Sequence, residues 1–216
     1  MVFALTDDAG PFFVEDIPEE PFVSAVTDGN GDPVAIAPGD VKAGLRRPDG
    51  SYALPLIARD VDADEDTFTL PWGTETPFTT PGVHWIDALV HNQRAEPVPV
   101  VVETLDGWTT LAMARTSWRD LPTDPRVAYE LLQVAKRDVI AYAPALAAGA
   151  PIPDSYRTAQ VMHARDIWNS GVTDPSGDIG SETFATTPYP MDWMVRQVLR
   201  PKRAIPKVAR FPEEDA

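Results

Sequence analysis

The chain has 216 residues, of which 44% are hydrophobic, 24% charged and 9% aromatic. This composition is too apolar for a disordered chain, and no apolar run of about 18 residues is present to span a bilayer. The absence of cysteine excludes disulfides, thiolate nucleophiles and cysteine-based zinc sites. At about 150 residues per domain, the length allows one large domain or two small ones.

Charge is unevenly distributed along the chain. Residues 1–110 contain 20 acidic and 5 basic residues, a net charge of −15, whereas residues 111–216 contain 13 of each. This asymmetry predicts two bodies with different electrostatic roles, because an acidic surface repels nucleic acid and anionic membranes. The first residues lack the basic and apolar regions of a signal peptide, so we expect the protein to stay in the compartment where it is made.

The N-terminal half shows the pattern of short strands separated by turns. Residues 1–21, with three prolines and many acids, predict an extended lead-in. The predicted strands that follow are 22–27, 33–36, 41–46, 53–58, 67–70, 82–90 and 97–103. Two prolines in the last of these suit an edge strand. Turn signals about every 8–12 residues predict an antiparallel β-sandwich or barrel over residues 22–107.

The C-terminal half changes to helical periodicity. The predicted helices span residues 125–143, 154–170 and 193–200. Asp124 is the N-cap expected for the first helix, with Pro125 at its first position, and Asp154 is an N-cap candidate for the second. We therefore predict a small helical domain over residues 108–200 and an extended arm over 201–216. Short helices make a thin core, so we expect neighbouring subunits to supply part of the burial.

Few residue patterns indicate catalysis. No serine lies in a Gly-x-Ser-x-Gly motif, and the chain contains neither a phosphate loop nor a dinucleotide fingerprint. The acidic runs 28–32 and 60–66 lack the glycine and glutamate positions of a calcium loop and predict solvated turns. We expect no enzymatic activity, no cofactor and no metal site. A metal-dependent hydrolase is the least favoured alternative, and its ligands would be Asp62, Asp64, His84 and His91.

The tryptophans and the basic residues are more informative. Core anchoring is expected for Trp85 and Trp168, whereas Trp118 and Trp193 lie at element ends, where large aromatic side chains can fill a partner surface. The stretch from Trp193 to Pro212 contains no acid and six basic residues, Arg196, Arg200, Lys202, Arg203, Lys207 and Arg210. Such an arm suits a solvated tail, a nucleic acid or an acidic protein surface, and charge alone does not choose between them.

Four stretches of the C-terminal half carry recognisable motifs. They are Trp108–Pro122 (WTTLAMARTSWRDLP), the run from Leu131 to Pro144, Tyr156–Gln160 (YRTAQ), and Tyr189–Trp193 (YPMDW) leading into Leu199–Arg203 (LRPKR). Together, over about residues 108–207, they resemble the head-to-tail adaptor (head completion) proteins of long-tailed double-stranded DNA phages of actinobacteria. The N-terminal β body looks like the immunoglobulin-like or barrel-like extension that some of these adaptors carry.

The resemblance implies a structural virion protein. Such adaptors form an oligomeric ring, usually a dodecamer, below the portal protein; the ring extends the DNA channel, joins the capsid to the tail and offers a platform to a downstream tail-connector (stopper) protein. Portal binding would then fall to Trp193, Arg196, Arg200, Lys202, Arg203, Lys207 and Arg210. Subunit contacts would fall to Trp118, Arg119, Tyr142, Tyr156 and Trp168. The protein would assemble in the host bacterial cytoplasm and reside in the virion.

One alternative comes from a different functional class. A carbohydrate- or receptor-binding β module of a phage or bacterial surface protein would use the β domain, with Trp72 or Trp108 exposed on it. It predicts glycan binding that is lost when these tryptophans are replaced by alanine.

Overall fold

Ten strands and four helices make up the part of the chain that a computed structural model describes, residues 3–5, 9–172 and 191–200. The fold is mixed α+β with two β-sheets. The chain divides into two compact units, Met1–Gln133 and Val134–Ala216, so the boundary falls within a helix and not at the predicted position 107/108. We refer to them as the N-terminal unit and the C-terminal unit.

Both sheets belong to the N-terminal unit. In chain order the strands are β1 (Ala4–Leu5), β2 (Ala9–Phe13), β3 (Phe22–Thr27), β4 (Val41–Arg46), β5 (Tyr52–Ala58), β6 (Asp60–Asp62), β7 (Thr67–Leu70), β8 (Gly82–Val90), β9 (Gln93–Arg94) and β10 (Val98–Glu103). The smaller sheet has the order β1-β3-β7-β6. The larger sheet has the order β2-β10-β8-β4-β5, and β9 pairs with β8.

Four predicted strands, 22–27, 41–46, 67–70 and 82–90, coincide with β3, β4, β7 and β8 and are confirmed. Residues 33–36 form only an isolated bridge between Thr27 and Pro33. The prediction of an edge strand at 97–103 is wrong, because β10 lies between β8 and β2. The parallel ladder with β2 begins at Val100, past both prolines, so neither proline has to donate a hydrogen bond to it. This parallel pair also makes the larger sheet mixed and not purely antiparallel.

One hydrophobic core is shared by the two sheets. Strands β3 and β7 contribute Phe22, Val26, Phe68 and Leu70, and strands β4 and β8 contribute Val41, Ala43, Leu45, Ile86, Ala88 and Val90. These residues alternate along each strand, as expected when one face of a sheet is buried. Part of the predicted lead-in joins this structure, since β1 and β2 pair with β3 and β10.

The helices are α1 (Leu111–Ser117), α2 (Pro125–Tyr142), α3 (Asp154–Val172) and α4 (Trp193–Leu199). The N-cap at Asp124 is confirmed, because its Oδ1 accepts a hydrogen bond from the Arg126 amide at 2.8 Å. Asp154 is not an N-cap: it is the first residue of α3, and its carboxylate pairs with Arg157 in the first turn. Helix α1 was not predicted.

Helix α1 lies within the N-terminal unit, and its first residue contacts the larger sheet. The amide of Leu111 donates to the buried Glu103 carboxylate of β10 at 2.9 Å. Burial raises the pKa of Glu103, and this hydrogen bond opposes part of that rise. The contact ties the start of α1 to the larger sheet. None of the described helices is both long and apolar enough to cross a membrane.

Candidate partner-binding surface

Helix α4 and its C-cap contain three of the predicted portal-binding residues, Trp193 and Arg196 on the helix and Arg200 at the cap. The helix begins after Asp192, whose Oδ1 accepts a hydrogen bond from the Met194 amide at 2.7 Å and so satisfies one of the free donors of the first turn. Val195 and Leu199, four residues apart, are buried, and the helix contacts α3. This packing fixes which side of α4 is left for solvent.

The outer side of α4 presents a large aromatic residue beside a cation. Trp193 is 63% exposed and Met194 is 52% exposed, and Arg196 is exposed on the next turn. Within the described residues Arg196 makes no ion pair. Tryptophan and arginine carry much of the binding energy in interface hot spots. The exposed residues Trp193, Met194 and Arg196, which we call the α4 surface, therefore have the composition of a protein-binding site.

Arg200 closes this helix against α2. Its guanidinium carbon lies 4.8 Å from the ring centroid of Tyr142, the last residue of α2, in a cation–π contact. The backbone amide of Arg200 also donates to the Arg196 carbonyl at 2.8 Å. Arg200 thus has a structural role at the end of α4, and its charge is partly engaged within the C-terminal unit.

Two polar contacts link α3, the helix that α4 contacts, to α2 and to the segment after α2. His163 of α3, almost fully buried, places Nε2 2.9 Å from Asp138 Oδ2 of α2, and its Nδ1 has no hydrogen-bond partner among the described residues. The Tyr156 hydroxyl donates to the Pro144 carbonyl at 2.6 Å and ties the segment after α2 to α3. These contacts hold α2 and α3 together with little apolar surface.

The core of the C-terminal unit is small. Among the described residues of this unit, the buried apolar ones are Ala135, Val139, Ala143, Tyr156, Ala159, Ala164, Met191, Val195 and Leu199. Four of these are alanines, and the polar side chains of Gln160 and His163 are buried among the same helices. Burial, with a smaller effect from Asp192, raises the pKa of Asp166 on α3. Small and polar buried residues give little hydrophobic stabilisation per residue.

The predicted subunit-contact residues divide into buried and accessible groups. Trp118 is 2% exposed and Tyr156 is also buried, so neither presents its ring to solvent. The expectation that Trp118 fills a partner surface is therefore wrong for the free chain; it lies at the C-cap of α1 and packs inside. Tyr142 and Trp168 are half-buried, and Arg119 is exposed. Lys202, Arg203, Lys207 and Arg210 lie outside the described residues.

The residues expected to bind a glycan or a metal ion in the alternative functions are not arranged for those roles. Trp72 and Trp108 are buried, and the Trp72 indole donates to the Glu20 carbonyl at 2.7 Å, so neither ring is free to stack on a sugar. His84 lies in the core, and His91 faces Asp40 at 3.6 Å. Within the described ranges, no group of three or more histidine or acidic side chains is placed to hold a metal ion.

A polar cluster on the outer face of the larger sheet was not predicted. Asp87 of β8 is 2% exposed and accepts hydrogen bonds from Arg46 Nε at 2.7 Å and from the Tyr52 hydroxyl at 2.8 Å, while Arg94 Nη2 lies 3.7 Å away. Burial raises the pKa of Asp87, but the hydrogen bonds from Arg46 and Tyr52 outweigh burial and hold that pKa below its usual value. The sequence signal was the shared parity of Asp87 and Trp85 in β8.

Trp85 belongs to the same outer face. It is half-buried, and the Arg46 guanidinium carbon lies 6.0 Å from its ring centroid. The expectation that Trp85 anchors the core is therefore wrong. The inward positions of β8 are taken by His84, Ile86 and Ala88, which alternate with it.

Comparison with known proteins identifies no family. No family model matches the sequence, and no curated protein matches it. Among solved structures, the chain is similar to one described as the crystal structure of the Lin-41 filamin domain, with 17% sequence identity and a TM-score of 0.27. The match covers 47% of this chain and 91% of that chain. The function therefore has to be argued from the residues of this chain.

Proposed function

We propose that the protein is a structural virion component, a head-to-tail adaptor that forms a ring below the portal and joins the capsid to the tail. The ring extends the channel through which packaged DNA passes. The protein performs no catalysis in this role and needs no cofactor. Its partners are the portal protein, identical subunits, twelve in the ring, and a downstream stopper protein.

The observation that carries this proposal is the α4 surface. An exposed tryptophan costs free energy in water, and Trp193 is held in place by a capped helix whose other side is buried at Val195 and Leu199. A tryptophan side chain has only two rotatable bonds, so on a helix backbone it loses little conformational entropy when it enters a partner pocket. Arg196 beside it adds a cation for an acidic or polar rim. This surface belongs to the YPMDW–LRPKR region that resembles the adaptor family.

The small core of the C-terminal unit supports an oligomeric role. Domains with little buried apolar surface gain stability from disulfides, metals or association, and this chain has no cysteine. Association with the portal and with identical subunits would supply the missing burial. Association of identical subunits through two different surfaces forms a closed ring when the rotation between neighbours closes, and we propose that it does so here.

The N-terminal unit fits the same role as an outward body. We assign it an immunoglobulin-like β-sandwich, since side chains from both sheets fill one core. Its excess of acidic residues disfavours contact with packaged DNA, because like charges repel within a Debye length of about 8 Å at physiological salt. In this proposal, the unit lies away from the DNA channel.

Co-purification of the full chain with the portal protein encoded in the same genome tests the proposal. Trp193→Ala combined with Arg196→Ala should lower binding by at least about tenfold, because hot-spot truncations commonly cost 2 kcal/mol or more. Met113→Ala is a matched control, since Met113 is also exposed but lies on α1. Equal binding by all three proteins would exclude the α4 surface, and no binding by the wild type would overturn the proposed function.

A further inference from the structure

The basic residues on the strands of the N-terminal unit are segregated by sheet. The strands of the larger sheet contain Lys42, Arg46 and Arg94, and the four strands of the smaller sheet contain no lysine or arginine. Arg47 and Arg59 directly follow β4 and β5 of the larger sheet. No basic residue precedes Lys42 in the chain. Thus, although the unit is strongly acidic, the cations of its two sheets are concentrated in the larger one; the other basic residues of the unit, Arg115, Arg119 and Arg126, lie outside the sheets.

The outer face of the larger sheet is cationic and aromatic. The register pairs Arg46 with Trp85 and places Lys42 and Arg94 beside Leu89, so all three cations share the face opposite the core. Lys42 is exposed, and Arg94 is 66% exposed. The strands of this sheet contain only two acids, Asp87 and Glu103, and both are buried and hydrogen-bonded. Positive charge therefore dominates what this face offers to a partner.

The outer face of the smaller sheet is acidic. Asp60 and Asp62 of the edge strand β6 are exposed and pair with Thr69 and Thr67 of β7, whereas Val61 between them faces the core. Val23 of β3 lies across from Thr69 on the same face and is 40% exposed. Two carboxylates on one strand, about 7 Å apart, thus border an open row of small side chains.

These two faces lie on opposite sides of one shared core. Residues of β3 and β7 pack against residues of β4 and β8, so each outer face points away from the other. A rigid unit with opposite charges on opposite sides complements a second copy of itself in a head-to-tail orientation. We infer that the cationic outer face of the larger sheet binds the acidic outer face of the smaller sheet of a second copy.

We assign the same chain as the partner of both faces because a second copy satisfies both of them together. Nucleic acid would fit the cationic face but would leave Asp60 and Asp62 unpaired and would be repelled by the net charge of −15 over residues 1–110. In the inferred contact, Lys42 and Arg94 meet Asp60 and Asp62, while Trp85 and Tyr52 cover the row that contains Val23. Asp87 holds Arg46 and Tyr52 in place and stays within its own subunit.

This contact is heterologous, so it generates a closed ring or an open filament. It goes beyond the proposed function, because it assigns a subunit contact to the β unit and not to the helices. It also requires no portal protein.

Two variants of the full chain test the inference. The first, Lys42→Glu with Arg94→Gln, changes the cationic face and leaves the acidic face intact. The second, Asp60→Lys with Asp62→Asn, changes the acidic face. Asparagine at position 62 keeps a side-chain oxygen that can accept the hydrogen bond which the Asp64 amide donates to Asp62 Oδ1 at 3.0 Å. Glu75→Lys is the control, since it makes the same charge reversal in an exposed loop residue. Circular dichroism verifies that each variant folds.

Sedimentation velocity over a concentration series, at low and high salt, measures self-association. We expect the wild type and Glu75→Lys to self-associate at low salt, with association weakening as salt rises. Each double variant alone should lose about tenfold or more in association constant. An equimolar mixture of the two should again form dimers, because each contributes the face that the other lacks. Monomeric wild type at all concentrations, or a mixture that stays monomeric, overturns the inference.

The outcome is distinguishable from the test of the α4 surface. A chain that self-associates through the two sheets but fails to bind the portal protein supports this inference and overturns the proposed function. A chain that binds the portal through Trp193 but shows no salt-dependent self-association supports the proposed function and overturns this inference. Binding of wild-type protein to double-stranded DNA with loss in the Lys42→Glu, Arg94→Gln variant would assign the cationic face to nucleic acid and overturn the inference.

Discussion

His163 Nε2 and Asp138 Oδ2 lie 2.9 Å apart and join α3 to α2 inside the C-terminal unit. The imidazole is almost fully buried, whereas the Asp138 carboxylate is about half exposed. The second ring nitrogen, Nδ1, has no hydrogen-bond partner in the part of the chain that the structure describes. Asp138 is therefore the one hydrogen-bond partner of the buried imidazole among the described residues. The loss of this contact matters because the apolar core of the unit is small.

Replacing Asp138 by alanine should destabilise the C-terminal unit. A buried polar group that loses its partner costs about 1–3 kcal/mol. Asp138→Asn, which keeps an acceptor oxygen, should cost clearly less. Urea unfolding followed by tryptophan fluorescence, to which Trp168 on α3 contributes, measures both effects. Equal midpoints for the wild type and Asp138→Ala would show that the contact contributes nothing.

Asp87 should make the N-terminal unit sensitive to acid. Its pKa in the folded chain lies below the usual 3.8, so its stabilising contribution is complete above pH 3.8 and is lost as pH falls through the folded pKa. Asp87→Asn should unfold at a lower temperature than the wild type at pH 7, and this difference should shrink between pH 4 and pH 2. Thermal unfolding by circular dichroism at each pH measures it. A difference that is constant with pH contradicts the assignment.

His84 should make the stability of the N-terminal unit depend on pH in a higher range than Asp87 does, because its imidazole is buried. Burial lowers the pKa of His84 from its ordinary value of 6.5, because the neutral ring is favoured in the core. The unfolded chain therefore binds this proton first, and folding stability falls as pH decreases below 6.5. His84→Leu should lack this pH-dependent loss of stability. The unfolding free energy of the wild type, minus that of His84→Leu, should therefore decrease as pH falls from 7 to 5. An increase over this range would contradict the prediction.

Gly44 should tolerate no side chain. A Cβ at this position would lie 2.7 Å from the Leu54 carbonyl oxygen and 2.8 Å from the Leu56 nitrogen, both backbone atoms of β5. The pairing of β4 with β5 is irregular here, which brings the β5 backbone over Gly44. Gly44→Ala should cost about 1–3 kcal/mol, the usual cost of overpacking. Gel filtration and thermal unfolding would measure it, and a variant as stable as the wild type would contradict the close approach.

The positions of the strands with clear alternation could be predicted from the sequence, but the face that each strand buries could not. Pattern alone located β3, β4, β7 and β8, because one buried face imposes a period of two. The same pattern does not say which face is buried, and Trp85 was assigned to the core when His84 occupies it. Alternation between apolar residues on both faces, as in Gly82–Val90, leaves that choice to long-range packing.

The α4 surface was predictable and the charge segregation was only partly so. Trp193 stood out because it begins a short helix after a capping aspartate, and its exposure is an outcome of local helix periodicity. The excess of acid in residues 1–110 was visible, but the cationic face was not, because its members come from β4 and β9 and meet only through pairing with β8. Such a face depends on sheet topology and not on any local run of residues.

Electron microscopy of the full chain mixed with the portal protein encoded in the same genome tests whether the protein is a head-to-tail adaptor. We expect a ring of the protein, coaxial with the portal, in which α4 lies at the portal contact and the β units touch one another. The Trp193→Ala, Arg196→Ala variant should leave bare portals on the same grids. Portals without any added ring for the wild type, or a wild-type complex with α4 facing solvent, would contradict the adaptor function and the portal-binding role of α4.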